Sequence, residues 1–231
     1  ITVTSGSIKL TEPGTLASSI SMSGGALDAD NSLTVSGALT HTGNITIDVL
    51  TDKTLTYSGT AISLGATTLT LSGGGSLVSG GLTLNDVSSK LLLNSITVDS
   101  VSTSEDSLGL DVDDDSTVSS LSVAHITPVS IANTKTLSGA ITVTNNGSLK
   151  LTETGTLASA ISMSSGVLDA DNSLTVSGTL TQSGNITIDV LTDKTLTYSG
   201  TAISLGANTL TLSGGGTFSN TNALVLNDEN S

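Results

Sequence analysis

The densest group of side chains that could do chemistry is a run of aspartates in the middle of the chain, at Asp111, Asp113 and Asp115. Carboxylate oxygens at alternate positions suit Ca²⁺, and an EF-hand loop begins with this spacing. The glycine that such a loop requires next is Ser116 here, and Ser122 stands where the closing acidic residue is needed. We therefore predict at most a weak calcium site at the three aspartates. The alternative is a solvated acidic turn.

Residues suited to catalysis are sparse. The histidines His41 and His125 lie far apart in the sequence, and a second, nearly identical segment carries Gln182 at the position of His41. No Gly-x-Ser-x-Gly motif stands in the strand–turn–helix context of a nucleophile elbow. The chain also lacks arginine and has few aromatic rings that could hold a sugar. We predict a protein that is not an enzyme and that uses no cofactor, apart from the calcium ion considered above.

The charge of the chain argues against several classes of partner. Six lysines and 20 acidic residues among 231 residues give a formal net charge of −14. Binding to nucleic-acid phosphates or to anionic lipid requires a basic surface, so we expect no nucleic-acid partner. No apolar run is long enough to span a bilayer, and we expect no direct membrane insertion. The absence of cysteine excludes disulfides and thiolate metal sites.

Nearly the same sequence occurs twice in the chain. Residues 6–77 and 147–218 differ at about 11 of about 72 aligned positions. Duplication of a unit about 141 residues long explains this, with one complete unit at 1–141 and part of a second at 142–231, continuous with the first. Self-similarity at a fixed period indicates a repeat architecture, in which each unit buries its core against its neighbours.

A shorter repeat runs inside the long one. Apolar and polar residues alternate in brief segments such as Leu33-Thr34-Val35, separated by Gly, Ser, Asn or Asp. This alternation predicts short strands with aliphatic residues inward and Thr or Ser outward. Such strands, about six to eight residues apart, fit a coil of roughly 20 residues with three strands. The sequence therefore predicts an all-β fold, a parallel β-solenoid with about seven coils in each long repeat.

The spacing of lysines supports this coil length. Lys53, Lys135 and Lys194 are 82 and 59 residues apart, which corresponds to about four and three coils. A tandem array of β-sandwich domains is the rival all-β architecture. Sandwiches normally need longer strands and some aromatic core, whereas aromatic residues make up only 1% of this chain. The solenoid is therefore favoured.

Outward threonines form one surface that could recognise a ligand. Thr54 and Thr56 flank an inward leucine, and Thr68 and Thr70 flank another. If such pairs stacked on one flat face, they would resemble the ice-binding face of solenoid antifreeze proteins, and ice binding is therefore the alternative function. Outward Thr also favours strands and keeps a face polar for purely structural reasons. We expect the threonines to be spread over several faces.

The segment Thr68-Leu69-Thr70-Leu71-Ser72-Gly73-Gly74-Gly75 and its copy at 209–216 carry a family resemblance. They resemble the repetitive β-solenoid regions of large bacterial surface proteins, such as filamentous adhesins, autotransporter passengers and giant repeat proteins. The resemblance implies a non-enzymatic stalk, fibre or adhesin at the cell surface or outside the cell. We also expect further copies of the chain as partners, joined end to end or laterally in a filament, because open strand edges of terminal coils offer unpaired backbone N–H and C=O groups. A host or surface ligand is a further expected partner.

Overall fold

A computed structural model describes residues 1–226, and the chain winds there into a coil of stacked parallel strands. The described residues form 31 strands and no helix. Paired strands come from consecutive turns and are 19 to 24 residues apart, as at Lys90 opposite Gly109 and Ile45 opposite Leu69. The predicted all-β solenoid with coils of about 20 residues is confirmed.

Each turn has three sides, and each side stacks along the axis into a face, with strands numbered β1 to β31 in chain order. The charged face, named for residues described below, is a sheet of eleven strands, one per turn: β2 (Ser7–Leu10), β5 (Ala26–Ala29), β8 (Ile45–Val49), β11 (Thr68–Ser72), β14 (Lys90–Leu93), β16 (Gly109–Val112), β18 (Ile126–Ile131), β20 (Ser148–Leu151), β23 (Val167–Ala170), β26 (Ile186–Val190) and β29 (Leu210–Ser213).

The middle face follows the charged face in each turn and also stacks one strand per turn. Its strands are β3 (Gly14–Leu16), β6 (Leu33–Val35), β9 (Thr54–Tyr57), β12 (Ser76–Val78), β15 (Thr97–Thr103), β17 (Ser116–Val123), β19 (Thr136–Val143), β21 (Thr156–Leu157), β24 (Leu174–Val176), β27 (Thr195–Tyr198) and β30 (Thr217–Asn220).

The neutral face closes each turn. In the middle of the molecule it is formed by the second halves of β15, β17 and β19, which bend around the corner from the middle face. Its other strands are short: β1 (Thr2–Val3), β4 (Ile20–Met22), β7 (Leu39–His41), β10 (Ile62–Ser63), β13 (Leu82–Leu84), β22 (Ala160–Met163), β25 (Leu180–Gln182), β28 (Ile203–Ser204) and β31 (Leu224–Val225).

The strands follow from the alternation of apolar and polar residues. In β8, Ile45, Ile47 and Val49 are buried, whereas Thr46 and Asp48 are partly exposed. The inward Leu, Ile and Val side chains of the three faces meet in one hydrophobic core that follows the axis. A core this narrow is filled by aliphatic side chains of medium size, which explains why the chain needs so few aromatic residues.

The tyrosines are the polar exception in this core. Tyr57 and Tyr198 are both buried. Their hydroxyl oxygens accept backbone N–H groups of the preceding turn, from Leu39 at 3.1 Å and from Leu180 at 2.9 Å. Each tyrosine hydroxyl therefore provides the hydrogen-bond acceptor for a buried backbone N–H group at the start of a neutral-face strand, where the chain changes direction.

The long repeat spans seven turns, but its register slips. Seven steps along the charged face lead from β2 to β20, its counterpart in the second unit. The register that starts at Ile8 reaches Ile131 after six turns. Leu149, the counterpart of Ile8, pairs instead with Thr127, four residues earlier in the same strand. Because successive side chains alternate between the two sides of a sheet, an even slip keeps every inward residue inward.

Candidate functional site

The three predicted calcium ligands point to different partners. The carboxylate of Asp111 lies 2.5 Å from Nζ of Lys90, one turn earlier. Asp115 accepts the backbone N–H of Thr136, one turn later, at 2.8 Å, and Asp113 is exposed. Within residues 1–226, no group of three or more His, Cys, Asp or Glu side chains is arranged to hold a metal ion. The calcium site therefore stays a prediction, and two of its aspartates link neighbouring turns.

Asp114, which lies between Asp113 and Asp115, also links neighbouring turns. Asp114 pairs with Nζ of Lys135 at 2.7 Å across one turn. The hydrogen bond between the two side chains lowers the pKa of Asp114 and raises the pKa of Lys135. The acidic run at this corner is therefore largely engaged in contacts between coils.

Lysine–aspartate contacts recur on the charged face in both units. In the second unit, Nζ of Lys150 lies 3.1 Å from Asp169 and 2.7 Å from Asp171. The hydrogen bond with Asp171 raises the pKa of Lys150, and burial raises the pKa of Asp169. In the first unit Lys9 reaches Asp30 at 2.9 Å. Each of these contacts links one turn to the next by charge.

Acidic residues also stack directly on one another on this face. Asp28 is in register with Asp48, and their counterparts Asp169 and Asp189 are paired in the same way. Like charges in register disfavour a sheet. The hydroxyl of Ser72 donates to Asp48 at 2.5 Å, which stabilises the carboxylate of Asp48. The charged face is consequently the acidic side of the rod.

The neutral face differs from the charged face in its charge. The described strands of the neutral face contain neither an acidic residue nor a lysine. Asp86, Glu105 and Asp106 stand in turns at one edge of this face, and Asp99 stands at its corner with the middle face. The carboxylate of Asp99 accepts the backbone N–H of Ser79 at 2.9 Å. The charges of the solenoid are therefore unevenly distributed, and, among the described acidic residues, Asp99 is the exception to their position on the charged face or at its two edges.

A regular line of hydroxyl groups runs along the neutral face. The register places one Ser or Thr opposite the next through seven consecutive turns, a set that we call the hydroxyl row: Ser63, Thr83, Ser102, Ser122, Thr142, Ser162 and Thr181. All seven lie at outward positions between buried neighbours. The row was not predicted from the sequence, because successive coils differ in length and the spacing between its residues is therefore irregular in the sequence.

The threonines singled out from the sequence are placed differently. Thr54 and Thr56 lie on the middle face, in β9, whereas Thr68 and Thr70 lie on the charged face, in β11. Thr68 is in register with Lys90. These four residues therefore do not form one array, and the hydroxyl row is the more regular surface.

A half-buried polar contact distinguishes the two units. Nδ1 of His41 lies 3.2 Å from the hydroxyl oxygen of Thr67. The second unit carries Gln182 and Asn208 at these positions, and each donates its side-chain amide to the carbonyl of Leu205 at 3.2 Å. Two of the few exchanges between units are thus neighbours in space. In both units this position therefore carries a polar side chain with a hydrogen-bond partner in the next turn.

No helix among the described residues is long and apolar enough to cross a membrane. Comparison with known proteins gives no match, whether to a family model, a curated protein or a solved structure. The function proposed below is therefore argued from the surfaces and dimensions of the solenoid.

Proposed function

We propose that this chain is a segment of a non-enzymatic extracellular rod, a structural or adhesive part of a long cell-surface protein built from tandem repeats. The observation that carries this proposal is the junction between the two units. Strand pairs cross it without a gap, as at Val129 opposite Leu151 and Ile141 opposite Ile161. Because the hydrophobic core also continues through the junction, an added unit extends the same rod and introduces no hinge.

Length is the property that such a rod supplies. Seven turns at about 4.8 Å per turn give an advance of about 34 Å for each unit. A stack of units can hold a distal module away from a cell, or it can form a filament with copies of itself. Near-identity between neighbouring units allows length to change by whole units while every strand still finds its partner.

The surface chemistry agrees with this role. A negative surface keeps a long exposed protein soluble and discourages non-specific contact with other acidic polymers. The extracellular setting rests on the resemblance of the Ser-Gly-Gly-Gly segments to the solenoids of surface proteins. Neither the charged face nor the contact of His41 with Thr67 requires a catalytic explanation.

The proposed function is tested by displaying chains of increasing unit number on a bacterial cell, each with the same labelled module at its outer end. Electron tomography of the cells measures the distance from membrane to module. We expect this distance to rise by about 34 Å for each unit. A module that stays at the same distance whatever the unit number would contradict the proposal.

Ice binding is a second candidate, and the hydroxyl row is the observation that favours it. An uncharged row with one small hydroxyl side chain per turn has the general character of an ice-binding surface. The row is a single column of mixed Ser and Thr, however, and the two-column array of threonines that ice matching requires is not formed by Thr54, Thr56, Thr68 and Thr70.

The two candidates are separated by observing ice growth in solutions of the protein. For a structural rod we expect neither thermal hysteresis nor shaping of ice crystals. Faceted crystals that disappear when Ser122, in the centre of the hydroxyl row, is changed to Lys would establish ice binding by this face.

A further inference from the structure

The distribution of charge decides how two copies of this rod can approach each other. A net charge of −14 makes most relative orientations repulsive, because carboxylates of both copies meet. The described strands of the neutral face carry no acidic residue and no lysine. Two copies that meet through this face keep their charged faces on opposite, solvated sides. The nearest carboxylates are those of Asp86, Glu105 and Asp106 in turns at one edge and of Asp99 at the corner with the middle face. Contact through the neutral face therefore brings fewer carboxylates together than contact through the charged face.

The middle face is less suitable, although it also carries threonines in register. Thr156, Thr175 and Thr197 form a column there. Charged residues occupy the turns directly before these strands, at Asp171 and Asp193. A copy that docks on this column brings those carboxylates close to the carboxylates of its partner, and juxtaposed like charges oppose association.

The hydroxyl row also favours an identical partner over an arbitrary one. Its rungs follow the strand spacing of about 4.8 Å, and a second copy presents rungs at the same spacing. A hydroxyl both donates and accepts hydrogen bonds, so that two identical rows are self-complementary. Such a contact uses the same patch on both copies, as in a two-fold symmetric interface.

We propose that the neutral face, centred on the hydroxyl row, is the surface through which copies of this rod pack side by side. This inference rests on the proposed structural role and names the surface that lateral assembly uses. Seven rungs give a strip about 34 Å long, and strands of three residues make it about 10 Å wide. This area is well below the roughly 800 Å² per partner of a stable interface. Pairing is consequently weak for one unit and strengthens as linked units engage together.

The experiment compares the full chain with two matched variants by sedimentation velocity over a range of concentrations. Ser122→Asp places a charge in the hydroxyl row, between Ser102 and Thr142. Thr175→Asp places the same charge in the threonine column of the middle face. We expect the parent chain and Thr175→Asp to associate reversibly, and Ser122→Asp to associate at least about tenfold more weakly. Circular dichroism of both variants verifies that the strands remain folded.

A mixing experiment makes the assignment specific. Ser122→Asp mixed with Ser122→Lys restores association if rows face each other, because opposite charges then meet near the centre of the contact. A parent chain that stays monomeric at every concentration, or equal weakening by the two aspartate variants, would overturn the inference. Ice shaping that is lost in Ser122→Asp, without association in the parent, would assign the face to ice instead. Single unpaired rods in electron micrographs would overturn lateral packing and leave the rod intact, whereas compact particles would overturn the rod itself.

Discussion

Single residues matter most where two turns come close together, and Gly73 is the best example. It has a φ of +104° at the corner between the charged and middle faces. A Cβ at this position would overlap the backbone carbonyl of Val49 in the preceding turn. Its counterpart Gly214 has the same conformation against Val190. The glycine-rich end of the repeated segment is therefore a packing requirement, although the sequence indicated only a turn there.

We predict that Gly73→Ala lowers the free energy of unfolding by about 2–5 kcal/mol, because backbone strain and steric overlap both oppose the new methyl group. Gly65→Ala is the matched control, since Gly65 has a φ of +56° but open space around its Cβ position. Strain alone should cost the control about 1–2 kcal/mol. Equal losses in chemical denaturation would show that the close approach to Val49 is unimportant.

At the scale of elements, the sequence predicts which residues form strands, but it does not predict which strands stack on the same face. Alternation in segments such as Leu33-Thr34-Val35 specifies a short strand and its inward side, because the period of two is a local property. Which strands stack on each other depends on the length of every intervening turn, and these lengths range from 19 to 24 residues. The hydroxyl row and the separation of Thr56 from Thr70 onto different faces could not be predicted for this reason.

The contact between β20 and β23 through Lys150 gives a prediction at this scale. Its side chain is 31% exposed and has two carboxylate partners. We expect Lys150→Gln to lower the free energy of unfolding by about 0.5–1 kcal/mol at neutral pH, because the partly buried carboxylate of Asp169 then loses its ion pair with the lysine ammonium group. Lys9→Gln is the control and should cost less, because Lys9 is 58% exposed and contacts Asp30.

The pH dependence of that difference follows from the raised pKa of Lys150. A lysine whose pKa is raised by folding stabilises the protein fully below its ordinary value of 10.5. This stabilisation is lost as the pH rises through the folded-state pKa. Melting temperatures of parent and Lys150→Gln should therefore converge in strongly alkaline solution. A gap that does not change with pH would contradict an ionic origin.

At the scale of the whole molecule, we expect stability to come from the stacking of turns and not from a bound ion. Two aspartates of the predicted calcium site, Asp111 and Asp115, are engaged with Lys90 and Thr136, and the neighbouring Asp114 is engaged with Lys135. For a weak site, with a dissociation constant of about 1 mM, we expect about 1 mM calcium to add only about 0.4 kcal/mol. The melting temperature is measured with and without calcium. A large rise that disappears in Asp113→Asn would show that Asp111, Asp113 and Asp115 form a genuine site.

The central claim is that consecutive units share one core and form one continuous rod. Small-angle X-ray scattering from chains of one, two, three and four complete units tests it most directly, because length and cross-section are measured together. We predict that the maximum dimension increases by about 34 Å for each unit, while the radius of the cross-section stays constant. A maximum dimension that grows less than in proportion to the number of units, as flexibly jointed beads or a compact globule would give, would contradict the account.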